Sequence, residues 1–160
     1  MNKIIFLDRD GVINFEPGAY TYRVNDFKIV DGLFDALLIL KKKGYQFIVI
    51  TNQGGISKGI YTHNDVKLIH THMSELFKQA TVDLLDIYYC PHHVVIEKCI
   101  CRKPDSLLLE KAIARYHVDT TTSYFIGDSR RDTLAAEKVG LTAIQINTNS
   151  SITYYLNQIN

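Results

Sequence analysis

The chain has 160 residues, enough for one domain with its own core and too few for two of ordinary size. Hydrophobic residues make up 46% and charged residues 22%, a composition outside the range of disordered and fibrous chains. Lys and Arg total 18 against 17 Asp and Glu, and this formal charge of +1 argues against a dedicated nucleic-acid binder, whose surface carries a clustered basic excess.

The first apolar run, Ile4 to Leu7, is too short for a signal-peptide core or a membrane span and reads as a buried strand. The expectation is a cytoplasmic protein without membrane contact. The run ends in Asp8-Arg9-Asp10-Gly11. The stretch from Asn14 to Lys28 has no clear period, carries the turn signal Pro17-Gly18, and reads as loops near the site. Leu33, Leu37, Leu38 and Leu40 then mark a helix that stops at Gly44.

The second strand, Phe47 to Ile50, leads into Thr51-Asn52-Gln53-Gly54-Gly55. Thr62 with Asp65 three residues on is a capping-box pattern opening a helix over 64–79. A third strand, Ile87 to Tyr89, runs into Cys90-Pro91-His92. A helix over 106–116 and a fourth strand, Tyr124 to Ile126, follow, ending in Gly127-Asp128-Ser129. A helix over 131–139 and a last strand, Ala143 to Ile146, complete the series. Unbroken apolar runs alternating with helices predict an α/β fold, a doubly wound parallel sheet covered on both faces, in one domain over 1–160.

In such sheets ligands bind beyond the carboxyl ends of the strands, where this chain places its polar residues. Asp8 and Asp10 offer one carboxylate to attack a phosphoryl phosphorus and another to move protons; Asp10-Gly11 also fits a plain turn. Thr51, Asn52, Gly54 and Gly55 offer a hydroxyl and exposed backbone N–H groups to phosphate oxygens, or serve only a turn. Arg102 and Lys103 can offset phosphate charge. Asp128 with Asp8 supplies hard oxygen ligands suited to Mg²⁺. Asp132 reads as a supporting residue that orients Lys103 or a metal-bound water.

Cys90, His92, Cys99 and Cys101 supply three thiolates and one imidazole, the complement of a closed tetrahedral Zn²⁺ site, with His93 competing for the His92 position. A closed site pins a loop, here 90–101, and leaves no coordination position for catalysis. His63, His70, His72 and His117 have no partner pattern and read as solvated.

In order, Asp8-Arg9-Asp10-Gly11, Thr51, Lys103 and Gly127-Asp128 through Asp132 resemble the four motifs of the haloacid dehalogenase superfamily of phosphatases. The resemblance implies Asp8 as nucleophile and Asp10 as general acid and base. It implies phosphate binding by Thr51 and Lys103, and Mg²⁺ held by Asp8, the Asp10 backbone carbonyl and Asp128. Phe6 to Asn14, Thr51-Asn52-Gln53, Tyr89 to His93 and Cys99 to Pro104 resemble the D-glycero-D-manno-heptose 1,7-bisphosphate 7-phosphatases and the related histidinol-phosphate phosphatases. Both groups carry the zinc loop and lack a large cap domain, for which this chain has no room between Asp8 and Thr51 or between Thr51 and Lys103.

The implied substrate-facing residues are Arg9, Asn52, Gln53, Gly54, Gly55, Lys58 and Arg102. The implied partner is a small phosphorylated metabolite, first the heptose bisphosphate and then histidinol phosphate, acted on by a monomer. Two rivals from other classes are a receiver-like phosphorylatable signalling domain and a zinc-stabilised nucleic-acid module. The first has no use for Asp10 or a zinc loop, and the second lacks a basic stripe here.

Overall fold

Ile4, Ile5, Phe6 and Leu7 are all fully buried, which requires cover on both faces of the strand they form. The computed structural model, which describes residues 1–160, makes them β1 (Ile4–Leu7) of a five-stranded sheet. The others are β2 (Gln46–Asn52), β3 (Leu84–Cys90), β4 (Tyr124–Gly127) and β5 (Thr142–Gln145). Their order is β3-β2-β1-β4-β5 and every pairing is parallel.

Side-chain alternation divides the core. Ile5, Leu7, Phe47 and Val49 point to one face, packed with Leu33, Ala36, Leu37 and Leu40 of α1 (Leu33–Lys42) and with Ile69, Met73 and Phe77 of α2 (His63–Gln79). Ile4, Phe6, Ile48 and Ile50 point to the other. There they meet Leu108, Leu109 and Ala112 of α3 (Leu107–Tyr116) and Ala135 and Ala136 of α4 (Arg130–Glu137). The expected doubly wound architecture is the one found.

The chain leaves β1 towards β2 and β3 and later returns to β1's other side with β4. Strand order therefore reverses at β1, which opens a crevice beyond its carboxyl end and places Asp8 at the crevice floor. The capping box at the start of α2 forms as the sequence indicates. Asp65 N–H donates to Thr62 Oγ1 at 3.2 Å and Thr62 N–H to Asp65 Oδ2 at 2.8 Å.

Strands β2 and β3 run longer than their apolar runs, because ladder pairing such as Thr51 with Tyr89 and Asn52 with Cys90 needs only backbone groups. Strand β5 starts and ends one residue earlier than its apolar run. A 3₁₀ segment, Ile152–Gln158, has no periodic signal in the sequence, yet Ile152 and Ile159 join the core beside α1. The loop after β1 is tied across its base by Phe15 N–H to Lys28 O at 2.7 Å and Val30 N–H to Ile13 O at 2.9 Å. No helix is long and apolar enough to cross a membrane.

Candidate active site

Asp8 prolongs β1 by one residue, its N–H donating to Ile126 O of β4 at 3.0 Å, so the sheet itself aims the carboxylate into the crevice. Asp8 Oδ1 accepts from Arg9 N–H at 2.7 Å and lies 2.9 Å from Lys103 Nζ. Those contacts leave Oδ2 for chemistry. Burial raises the Asp8 pKa to about 7; Lys103 opposes the shift and Asp132 adds to it.

Lys103 is almost fully buried, and Asp8, Asp132 Oδ1 at 2.7 Å and Ile50 O at 2.8 Å take up its ammonium. Burial disfavours the charge, but Asp8 and Asp132 outweigh it and the pKa is raised. The Asn52 amide fixes the Lys103 backbone from β2, accepting from Lys103 N–H at 3.0 Å and donating to Lys103 O at 3.1 Å. Asp132 Oδ2 also accepts from Ser129 N–H at 3.0 Å, so one carboxylate both caps α4 and holds the lysine.

Asp10 is held differently. Its Oδ1 accepts from Arg9 Nη2 at 2.8 Å, Arg9 Nε at 3.2 Å and Asn14 Nδ2 at 3.0 Å, and its Oδ2 from Gln53 Nε2 at 3.0 Å. Burial would raise the Asp10 pKa, but the Arg9 charge and these donors overcome it and the pKa is lowered. In the substrate-free protein Asp10 stands ionised. An arriving phosphate dianion works in the opposite direction, towards protonation.

Asp8, Asp10, Asn52, Gly54, Arg102 and Asp128 line one crevice, together with Glu16, Gly18 to Thr21, His93, Ser129, Arg131 and Thr148. Arg9, Thr51, Gln53, Gly55, Lys58 and Lys103 do not line it, Thr51 and Lys103 lying buried beneath its surface. Arg9 is 1% exposed, its Nε and Nη2 donating to Asp10 and its Nη2 also to Thr21 O at 2.8 Å, while Nη1 is buried without a partner. Gln53 is equally buried and binds Asp10 and Thr51. Lys58 lies over the Tyr20 ring, 5.6 Å from its centroid, at the outer edge.

Asn14 and Arg131 fall within the motifs read from the sequence, Asn14 only four residues from the Asp10 carboxylate it binds, whereas Tyr61 and Thr148 reach the site through tertiary approach and no local pattern marks them. His70, expected in solvent, is instead buried beneath the site, and burial with the Arg9 charge depresses its pKa to about 3.

Two groups of side chains fit metal ions. Carboxylate oxygens of Asp8, Asp128 and Asp132 lie within 4.8 Å of one another with Lys103 as the counter-charge. Asp132 is engaged by Lys103 and Ser129, whereas Asp8 and Asp128 each keep an oxygen open and the Asp10 carbonyl accepts no backbone hydrogen bond. Burial raises the Asp128 pKa, with Thr148 opposing. This surplus of hard oxygen donors suits Mg²⁺. Gly11 permits the approach: its φ is +83°, and a Cβ there would run into Asp128 Oδ2.

Cys90, His92, Cys99 and Cys101 form the other group, with Cys90 Sγ to Cys99 Sγ at 3.7 Å and to His92 Nδ1 at 3.5 Å. Those two separations match the edges of a tetrahedron built on zinc bonds of about 2.0–2.3 Å, whereas Cys101 Sγ sits closer in, 3.0 Å from Cys90 Sγ and 3.2 Å from His92 Nδ1. Burial raises the pKa of Cys90 and Cys101, whereas at Cys99 the backbone N–H groups of Cys101 and Arg102 outweigh burial and lower it. His93 stands outside the group, its Nδ1 accepting from Val95 N–H at 3.3 Å.

A family model described as HAD-hyrolase-like matches residues 100–156. The chain is 42% identical over 137 residues to D-glycero-beta-D-manno-heptose-1,7-bisphosphate 7-phosphatase of Haemophilus influenzae, covering 82% of this chain and 74% of that one. Identity to the Escherichia coli protein of the same name is 38% over 156 residues, covering 93% and 81%. Among solved structures, D,D-heptose 1,7-bisphosphate phosphatase from B. bronchiseptica, complexed with magnesium and phosphate, superposes with a TM-score of 0.85 at 29% identity, covering 98% of this chain and 86% of that one.

Proposed function

The chain belongs to the haloacid dehalogenase-like phosphatases, and from that membership we propose that it removes the 7-phosphate of D-glycero-D-manno-heptose 1,7-bisphosphate through a phosphorylated Asp8. The observation that carries the mechanism is the pair of unequal carboxylates in one crevice. Asp8 is held by Lys103 with Oδ2 open, and Asp10 is fixed by four donors beside it.

Asp8 Oδ2 attacks phosphorus in line, the bond from phosphorus to the ester oxygen breaks, and a proton on Asp10 passes to the departing alkoxide. Asp10, again ionised, then takes a proton from water as that water attacks phosphorus. The acyl phosphate bond breaks, inorganic phosphate leaves and the Asp8 carboxylate is restored. Thr51 Oγ1 accepts from Gln53 Nε2 at 2.9 Å, which frees its own hydrogen for a phosphate oxygen. Asp8, Asp128 and the Asp10 carbonyl would hold Mg²⁺, which supplies charge neutralisation at the phosphoryl group. Cys90, His92, Cys99 and Cys101 would hold Zn²⁺ and pin the loop that carries Arg102.

For the substrate, the relatives' shared name is joined by a cationic group at the crevice rim. Arg102 Nη1 and His93 Cδ2 both flank Gly54, 2.9 Å and 3.0 Å from where a Cβ would stand, and partial burial with the charges of Lys58 and Arg102 holds the His93 imidazole below its ordinary pKa. No carboxylate forms an ion pair with Lys58 or Arg102. A second phosphate on the substrate answers that charge. The test is phosphate release with Mg²⁺ from heptose 1,7-bisphosphate and histidinol phosphate side by side, with Asp8→Asn as blank. Preference for histidinol phosphate in kcat/KM overturns the substrate, and Asp8-independent release overturns the mechanism.

A further inference from the structure

Gln53 touches both the proton-transfer carboxylate and the phosphate-facing hydroxyl, yet a glutamine amide can present either end. Its Nε2 donates to Asp10 Oδ2 at 3.0 Å and to Thr51 Oγ1 at 2.9 Å, so both N–H bonds are committed. Its Oε1 accepts from the Tyr61 hydroxyl at 2.7 Å, and that bond is buried. Once Asp10 carries a proton, a turned amide would offer it a carbonyl instead, and the proton would be drawn to Gln53 and away from the leaving group.

We propose that Tyr61 is a positioning residue for Asp10, acting through Gln53: its hydroxyl fixes the amide so that the Asp10 proton has no acceptor except the departing alkoxide. The proposal rests on the roles given above to Asp8 and Asp10.

Tyr61 is itself held on three sides. It is 4% exposed, stacks on Tyr22 with centroids 5.2 Å apart at 15°, and meets Tyr20 edge-on at 5.7 Å. Its ring occupies the space a Cβ at position 55 would need, so Gly55 is required by Tyr61. Burial, with Asp10 nearby, raises its pKa to about 12 against the opposing Arg9 charge, and the phenol stays a donor throughout the working range. Tyr20 and Tyr22 belong to the loop after β1, so that loop, the segment after β2 and the Asp10 carboxylate are joined through one ring.

The test separates leaving groups. An alkoxide needs the Asp10 proton, whereas p-nitrophenolate is stable without it, and kcat/KM reports the first phosphoryl transfer in both cases. General acid catalysis contributes on the order of 10²–10⁴, and loss of its orientation should forfeit about tenfold of that. We expect Tyr61→Phe to lower the ratio of kcat/KM for the better alkyl substrate, heptose bisphosphate or histidinol phosphate, to that for p-nitrophenyl phosphate by about tenfold. Gln53→Leu should do the same.

An unchanged ratio in both variants overturns the proposal, whether the two rates fall together, as a packing defect requires, or stay put. Asp10→Asn run in parallel distinguishes the underlying reading. If it leaves the ratio intact, the acid role of Asp10 fails and the proposal with it; if it collapses the ratio while the other two variants do not, only the Tyr61 assignment fails.

Discussion

Asp132 Oδ1 lies 2.7 Å from Lys103 Nζ with both side chains sealed from solvent, so a buried ammonium is balanced by a carboxylate that never faces the crevice. Removing one partner of such a pair strands the other charge in a poorly solvated place, at a cost of about 3–5 kcal/mol. Asp132→Ala should lose stability on that scale in urea denaturation, because it also removes the α4 cap. Asp8→Asn should behave in the opposite sense. Burial works against the Asp8 charge, so the amide should abolish turnover while leaving the melting temperature equal or higher. A large drop in melting temperature for Asp8→Asn would contradict this account of the pair.

The thiolate group predicts a stoichiometric metal. Protein purified without chelator should contain zinc, measured by atomic emission, and Cys99→Ser should lose most of it. Cys101 and Lys103 are two residues apart, so loss of the ion should also lower kcat. Full activity with unchanged metal content in Cys99→Ser would remove zinc from the account.

At the rim, Arg102 Nη1 donates to His92 O at 2.9 Å, which leaves most of its fork turned to the crevice. A hydrogen bond to a charged group contributes about 1.5–3 kcal/mol. Arg102→Ala should therefore raise KM for the bisphosphate about tenfold more than KM for p-nitrophenyl phosphate. Equal effects on the two substrates would place the second phosphate elsewhere.

His70 ties stability to pH. Its folded pKa is about 3 against an ordinary value of 6.5, so between those limits the unfolded chain binds a proton that the folded chain does not. Stability then rises with pH across the window and falls on acidification, by up to about 1.4 kcal/mol per pH unit. His70→Gln should show a smaller loss of urea midpoint between about pH 7 and about pH 5 than the parent protein. Identical losses would mean that His70 charges without cost.

The strands were legible because a strand covered on both faces needs an unbroken apolar run, and Ile4 to Leu7 has one with the bounds found. The places of Asp8, Lys103 and the Cys90, His92, Cys99 and Cys101 group were legible because a ligand site beyond the strand ends leaves polar residues directly after such runs. The glycines after Thr51 were legible as necessary but for a different reason. Gly55 yields its space to the Tyr61 ring, and a Cβ at Gly54 would stand 2.9 Å from Arg102 Nη1 and 3.0 Å from His92 O, so both are close-packing positions and not simply a phosphate cradle. Arg9 and Gln53 were placed at the substrate by adjacency in sequence, but charge complementarity turns Arg9 back onto Asp10, and two buried acceptors claim the Gln53 amide. His70 is buried because it falls on the inner face of α2 with Val66, Ile69, Met73 and Phe77, so its apolar neighbours at helical spacing, and not its own polarity, carry the signal.

The acceptors around Lys103 have a kinetic meaning. Lys103 Nζ donates to Ile50 O and has Asp8 Oδ1 at 2.9 Å and Asp132 Oδ1 at 2.7 Å, so a phosphate oxygen that reaches the ammonium competes with three acceptors already close to it. On the mechanism proposed above, Asp8 is the partner that changes during turnover: once its Oδ2 is joined to phosphorus as an acyl phosphate, its claim on the lysine weakens and the ammonium turns towards the phosphoryl oxygens. Attraction between Lys103 and phosphate thus grows along the reaction coordinate, small for the arriving ester and for departing inorganic phosphate, greatest at the covalent stage between them, so the site resists being clogged by its own product.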